Sequence, residues 1–423
     1  MGSNTVTLNS IPHLVEELTL LASKITNKSL AGSVSREDRN RFVALTEKLG
    51  IAARDPEENV YYAACRTAQN SAIRCAIGLG IFTIIGENGA TTEEISSACG
   101  ADNLLIERLM RALVSCNTFE QIMGSSSDGD NDADDKTMVQ TCRFAHNDLS
   151  RCFLKESNRD MFQQMYEFVG RGVYSMADYL EKTGWKSPEG YQDSAISFAL
   201  GLTKETGGFW EYLAASPDRQ RLFNSGMQSR PSVNLVAGLY PFDTELNQPP
   251  LQEDEVAVVD VGGGRGHALL EIAETFPGLG GRLVLQDQES VIKEAGVNDL
   301  LNKKIEAQAA SFFEPNPVIG ARAYYFRRIF HDWSDPIAIQ ILHNTVMAMG
   351  LRSRILIADI EVPTSGVPWS MALQDWNMMA LGGIERTQSQ WKALLRKSGL
   401  VLVKVWRLKG SNHVIIEGRR PLE

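Results

Sequence analysis

Several things are missing from this chain, and each absence removes a class of function. Basic charge is in deficit: 42 Lys and Arg stand against 52 Asp and Glu, a formal net charge of −10 in 423 residues. A chain this acidic does not hold a polyanion or an anionic membrane surface by charge, so neither nucleic acid nor membrane is an expected partner. No apolar run approaches the roughly 18 residues of a membrane span. The first residues, MGSNTVTLNSIPHLVEEL, lack a basic stretch followed by an apolar one, so no secretory signal is expected, and Val6 spoils a myristoylation pattern at Gly2. A cytoplasmic location follows as the expectation. The six cysteines, Cys65, Cys75, Cys99, Cys116, Cys142 and Cys152, include no C-x-x-C pair, which speaks against a zinc or redox motif. Neither G-x-S-x-G nor G-K-S/T occurs, so serine hydrolase and P-loop readings fall away.

What is present centres on Val256–Gly266, VAVVDVGGGRG. Five of its first six residues are apolar, the signature of a strand buried on both faces of a parallel sheet. Gly262, Gly263, Gly264 and Gly266 follow, and glycine lets backbone turn tightly against a ligand. HALLEIAETF then reads as a helix with Ala268, Leu269, Ile272, Ala273 and Phe276 on one stripe, stopped by Pro277. Strand, glycine loop and helix N-terminus make a nucleotide-type cofactor site. The spacing is G-x-G-x-G, with His267 where the dinucleotide fingerprint needs Gly or Ala. About 20 residues on, GRLVLQ ends at Asp287, an acidic residue placed to bind a ribose diol.

Organisation along the chain is read from pattern. Leu14, Leu18, Leu21 and Ile25 mark an amphipathic helix. Residues 58–86, rich in Ala, Ile and Cys, predict a helix buried on most of its surface. Thr91 or Thr92 can cap a short helix ended by Gly100, and NLLIERLMRALVSCNTF predicts a second, with Leu105, Leu109, Leu113 and Val114 inward. Two short helices followed by strand-like residues resemble a winged helix. Its lack of basic charge favours dimerisation or substrate enclosure over DNA. Residues 124–136, GSSSDGDNDADDK, predict a disordered acidic surface loop. Residues 150–230 are again helical, with Trp185, Trp210, Tyr212, Phe223 and Met227 as core or as pocket lining. From 256 onward strands alternate with helices, VAVVDV, RLVLQD, AYYFRRIF, RILIAD, VLVKVWRL and HVIIEGR, the last two joined around Lys409 to Asn412. The expected fold is α/β: a doubly wound, Rossmann-like domain over 236–423, preceded by a mostly helical winged-helix domain over 1–235.

In doubly wound sheets ligands sit at the carboxyl ends of the strands. Three titratable residues fall there: His331 after AYYFRRIF, Asp359 at the end of ILIAD, and Glu385 in LGGIERTQ before a helix capped by Thr387 with Gln390. One imidazole with two carboxylates suits a general base and the groups that orient it. No metal is expected, because a facial triad would need a second nearby His, and His343 lies about three turns down the next helix.

Taken in order, VVDVGGGRG, LQDQ, RRIFHDWSD, IADIEVP and DWNMMALGGIERT resemble the cation-independent, S-adenosylmethionine-dependent O-methyltransferases, both plant caffeate-type and fungal natural-product enzymes. The resemblance covers nearly the whole chain. It implies a homodimer held by the N-terminal domain, S-adenosyl-L-methionine as cofactor, no metal, and a small aromatic or polyketide-type acceptor. It implies that Gly262, Gly263, Gly264 and Gly266 hold the methionine part of the cofactor and Asp287 its ribose. By position, Ser311, Phe312 and Arg327 join the cofactor site. His331 matches the general base, flanked by Asp359 and Glu385, and Asp332 and Trp333 share its motif. Three positions depart from the pattern: Ser311 stands where an acidic residue is common, Arg327 where Lys is frequent, and Asp359 where plant members have Glu. Some fungal relatives use the same scaffold for pericyclic or dehydration chemistry with the cofactor as a spectator, which is the alternative reading.

Overall fold

The structure is a computed structural model that describes residues 7–30, 35–123, 142–228, 238–294, 305–408 and 411–421. Within it the chain divides into two compact units, each discontinuous in sequence. One comprises residues 1–19, 45–171 and 210–231, the other 20–44, 172–209 and 232–423. A single boundary at residue 235 therefore does not capture the division, because the helices of 172–209 join the second unit.

The first unit is mostly helical. Helix Thr92–Cys99 starts on a capping box in which Thr91 Oγ1 accepts from Glu94 N while Thr91 N donates to Glu94, and it ends on left-handed Gly100. Helix Asn103–Ser115 buries Ile106, Leu109, Met110 and Leu113, one face at spacing 3, 4 and 7. Leu105, expected inward, is half exposed and faces solvent instead, since Ile106 takes the core position next to it. Strands β1 (Phe119–Met123) and β2 (Cys142–His146) pair antiparallel in register Phe119↔His146 to Met123↔Cys142. The acidic segment 124–136 connects them and lies outside the described residues. Phe82 stacks on Phe119 and Phe153 at the centre of this unit's core.

Helix Pro56–Gly78 corrects an expectation. Only Ile73 and Ala76 are buried, and Val60, Tyr61 and Tyr62 stand exposed. Its Ala, Cys and Tyr content is apolar without being a core face of this chain, and composition alone does not separate the two.

The second unit is built on an eight-stranded sheet. Its strands are β3 (Val256–Val261), β4 (Arg282–Asp287), β5 (Ile305–Ala309), β6 (Ala323–Arg327), β7 (Arg354–Val362), β8 (Arg386–Thr387), β9 (Val401–Arg407) and β10 (His413–Arg419). The order is β5-β4-β3-β6-β7-β10-β9, with β8 beside β7. Strands β3 to β8 run parallel, and β10 is antiparallel to both β7 and β9. Chain order reverses at β3, which lies between β4 and β6, so the crevice beyond its carboxyl end is the topological switch point. Ala257, Val258 and Val259 are wholly buried there, and Ala257 and Val258 share a core with Leu269 and Ile272 of helix His267–Thr275.

Strand β5 went unread in the sequence. As a sheet edge it buries only Ile305 fully, and IEAQA carries no apolar run to signal it. Among the described residues no helix is long and apolar enough to cross a membrane.

Candidate active site

The glycine loop leaves β3 with three residues in left-handed backbone, Gly262 (φ 71°), Gly264 (φ 60°) and Gly266 (φ 79°). Side chains avoid that region, which is why the positions are glycine. Gly263 is glycine for another reason: a Cβ there would collide with the Asp260 carboxylate and sit 2.5 Å from Leu285. A Cβ at Gly262 would lie 2.7 Å from Ile329 and 3.5 Å from Phe312, whereas one at Gly264 would meet nothing within 4 Å. Gly264 therefore faces open space at the switch point. Gly262 and Gly263 donate to the Gln286 carbonyl (2.8 and 3.1 Å), and Gly264 N donates to Asp287 Oδ2 at 2.8 Å.

Asp287 thus closes the loop from the end of β4, and its Oδ1 accepts from Gln288 N. Burial raises its carboxyl above the ordinary carboxylate range, against two backbone hydrogen bonds that lower it. Each oxygen accepts one backbone hydrogen bond, leaving a lone pair able to accept from a diol. Asp260 lies beneath the loop, wholly buried, with neither oxygen hydrogen-bonded among the described residues. Desolvation pushes it up to about 7, with Arg327 lowering and Asp287 raising it. An orphaned buried acid, an open glycine loop and an acidic strand end fit a cofactor with a cationic amino-acid part and a ribose. Beside them Phe312, Phe313 and Trp333 form an aromatic cluster with ring centroids 4.8 to 6.0 Å apart. Ser311 Oγ is turned to its own backbone, accepting from Phe313 N at 3.2 Å.

The second cluster is one strand over. Strand β6 ends at Arg327, and Arg328 turns the chain with φ 58° into the tight turn Phe330–Asp332. His331 is 5 % exposed on that turn. Its Nδ1 lies 3.1 Å from Glu385 Oε1, and its Nε2 lies 3.6 Å from Asp332 Oδ1. Asp359, 1 % exposed on β7, completes the group: donor atoms of His331, Asp359 and Glu385 all lie within 4.8 Å of one another. Asp359 Oδ1 accepts from Ile360 N at 2.9 Å, and Oδ2 is buried with no hydrogen-bond partner among the described residues. Burial raises the Asp359 carboxyl, and Glu385 adds to the shift, while His331 and Arg328 oppose it. Asp332 is likewise raised by burial.

Glu385 reaches the imidazole because two glycines precede it. Gly382 ends helix Trp369–Leu381 in left-handed backbone, and a Cβ on Gly383 would collide with the His331 carbonyl. That backbone contact lets Ile384 N donate to His331 O at 2.9 Å, and Glu385 N donates to Asp375 Oδ1 at 2.8 Å. The sequence reading found all three members of this cluster. It assigned no role to Asp260, Asp375 or Arg386; the wholly apolar surroundings of Asp260 were the one available signal.

A doubly wound sheet with a glycine loop at one strand end and a buried imidazole between carboxylates beside the next is the architecture of a cofactor-dependent enzyme. An O-methyltransferase domain model matches residues 189–401, and an O-methyltransferase dimerisation domain model matches residues 64–156. The chain belongs to the S-adenosylmethionine-dependent O-methyltransferases. An O-methyltransferase of Pestalotiopsis microspora is 39% identical over 416 residues, covering 98% of this chain and 97% of the relative. One from Aspergillus flavus is 30% identical, covering 97% of each. Among solved structures, OxaC superposes with TM-score 0.82 at 29% identity, over 97% of this chain and 99% of OxaC, and has been solved with S-adenosylhomocysteine (SAH) and oxaline. LepI, described as a pericyclic reaction enzyme and solved with S-adenosylmethionine (SAM), superposes with TM-score 0.80 at 26% identity, over 95% and 98%.

Proposed function

We propose that this enzyme methylates a hydroxyl oxygen of a small aromatic or polyketide-type acceptor, with His331 as the general base. The observation that carries the reading is the 3.1 Å contact between His331 Nδ1 and Glu385 Oε1. A carboxylate on Nδ1 fixes the proton there and leaves Nε2 as the acceptor of the substrate proton. In this reading Gly262, Gly263, Gly264 and Gly266 admit the methionine part of the cofactor to the loop. Asp287 accepts from the ribose hydroxyls, Phe312 offers an apolar ring face, and Ser311 and Arg327 complete the surround. When bound, the sulfonium cofactor supplies an activated methyl group and its own leaving group.

The chain's part is then positioning and proton transfer. A phenol, with an ordinary pKa of about 10, is a poor nucleophile at neutral pH, and His331 Nε2 takes its proton as the oxygen attacks. Glu385 steadies the imidazolium through Nδ1, and Asp359 adds a second carboxyl to the same cluster. The buried site keeps bulk water from competing for the proton.

The likeness to LepI supports a second reading, rearrangement or dehydration of the substrate with the cofactor unreacted. One experiment separates them: incubation with methyl-labelled SAM and a panel of phenols and enols, following label and product mass. Label in a product heavier by one methylene unit supports transfer. Converted substrate of unchanged or dehydrated mass, with the label still on the cofactor, supports the second reading.

A further inference from the structure

Arg386 is among the largest fully buried side chains in the described structure, and nothing in the proton-transfer scheme above uses it. It follows Glu385 directly and lies on β8, opposite Glu361 of β7. All three nitrogens of its guanidinium are hydrogen-bonded. Nη1 donates to the Phe330 carbonyl at 2.7 Å, and Nη2 to the Trp333 carbonyl at 2.8 Å. Nε and Nη2 both reach Asp335 Oδ1, at 3.0 and 2.9 Å, and the group stacks 5.2 Å over the Trp391 ring.

The two carbonyls are the informative partners. Phe330 and Trp333 bracket His331 and Asp332, so one planar fork grips both ends of the turn that carries the imidazole. The same residue is covalently next to Glu385, the carboxylate that meets that imidazole. Arg386 therefore joins the two pieces of chain whose spacing sets the His331 to Glu385 contact. A buried cation costs several kcal/mol in desolvation, and burial indeed pulls the guanidinium below its ordinary range. Asp335, itself partly exposed, and the nearby Asp359 and Glu385 offset this. A simple stability role would be served by an apolar side chain of similar volume.

We propose that Arg386 is a positioning residue for catalysis, a fork that holds the Phe330–Trp333 turn at a fixed distance from Glu385. It acts through His331 and touches neither substrate nor cofactor. The proposal rests on the reading of His331 as the base. Lysine keeps the charge but cannot span two carbonyls and a carboxylate in one plane.

The test is a double-mutant cycle on the full-length enzyme, with turnover of an accepted phenol, acceptor KM and SAH affinity measured for each variant. Arg386→Lys is expected to lower kcat by up to about 10²-fold, the usual cost of a small misplacement, with acceptor KM and SAH affinity unchanged. In a His331→Ala background the same substitution should cost nothing further. Equal fold losses in both backgrounds, or an unchanged kcat in the wild-type background, overturn the proposal. If His331→Ala alone turns over at the wild-type rate, the base reading fails on its own. Should Arg386→Lys not fold, Asp335→Asn weakens the same fork from its exposed side. It is expected to give a smaller kcat loss that also vanishes in the His331→Ala background, and a loss that persists there overturns the proposal.

Discussion

At the scale of single residues the unusual group is Asp260. Burial pushes its carboxyl up to about 7 from the 3.8 of an ordinary aspartate. Between those values the folded protein holds a proton that the unfolded chain has released. Stability from this group therefore falls as pH rises from about 4 to about 7 and is level above, a contribution of up to roughly 4 kcal/mol. Asp332 and Asp359, raised by burial as well, push in the same direction. Asp260→Asn cannot lose a proton, so its stability should decline less across that window. Denaturant unfolding of the cofactor-free protein at pH 5 and pH 8, for wild type and variant, checks this. Parallel declines would assign the slope to other groups.

At the scale of elements, the site is set by how closely backbone approaches backbone. Gly383 brings the segment before β8 against the turn that carries His331, and Ile384 N bonds to the His331 carbonyl. Gly383→Ala must push these apart. Forcing an extra methyl into packed structure costs roughly 1–3 kcal/mol. Turnover is expected to drop about tenfold or more, while SAH affinity measured by calorimetry is retained, because the glycine loop follows a different strand. Loss of cofactor binding instead would mean that the two strand ends are not independent. Glu385→Gln keeps the shape but removes the negative charge, so its turnover loss should be smaller than that of His331→Ala.

The elements also explain which parts were legible in sequence. Strand β3 was read to the residue, because VAVVDV is buried on both faces and bounded by glycine. His331 and Asp359 were legible because each closes an apolar strand pattern with a titratable residue, and Glu385 because it stands after two glycines and just before a capped helix, although β8 itself begins only after it. Arg386 was not, since a lone arginine in a motif reads as surface charge and only tertiary contact shows it buried. Edge strand β5 and the exposed half of helix Pro56–Gly78 were misjudged for one shared reason. Composition reports apolar content, whereas burial depends on which neighbour the fold supplies.

At the scale of the whole molecule that exposed helix has a consequence. Val60, Tyr61 and Tyr62 are 73%, 74% and 45% exposed, beside the region matching the family's dimerisation domain. Large apolar side chains left in water on a helix that runs into that domain mark it as an association element. The protein is expected to behave as a homodimer in solution, and Val60→Glu with Tyr61→Glu should shift it toward single chains. Light scattering at micromolar concentration decides, and a single-chain mass for wild type would contradict the expectation. Activity should also survive treatment with a chelator. Although His331, Asp359 and Glu385 form a donor set that a divalent ion could accept, Nδ1 of the imidazole is already engaged by Glu385. Activity lost to chelator and restored by a divalent ion would contradict the cation-independent account.

The central claim is that His331 removes the acceptor proton, and turnover against pH for wild type and His331→Ala on an accepted phenol tests it most directly. Near neutral pH the variant should be slower by about 10²- to 10⁴-fold, the usual worth of a positioned base, with fold and SAH affinity intact. The deficit should shrink as pH rises and the phenol ionises unaided. Equal rates near neutral pH, or a deficit that stays constant across the pH range, would contradict the account.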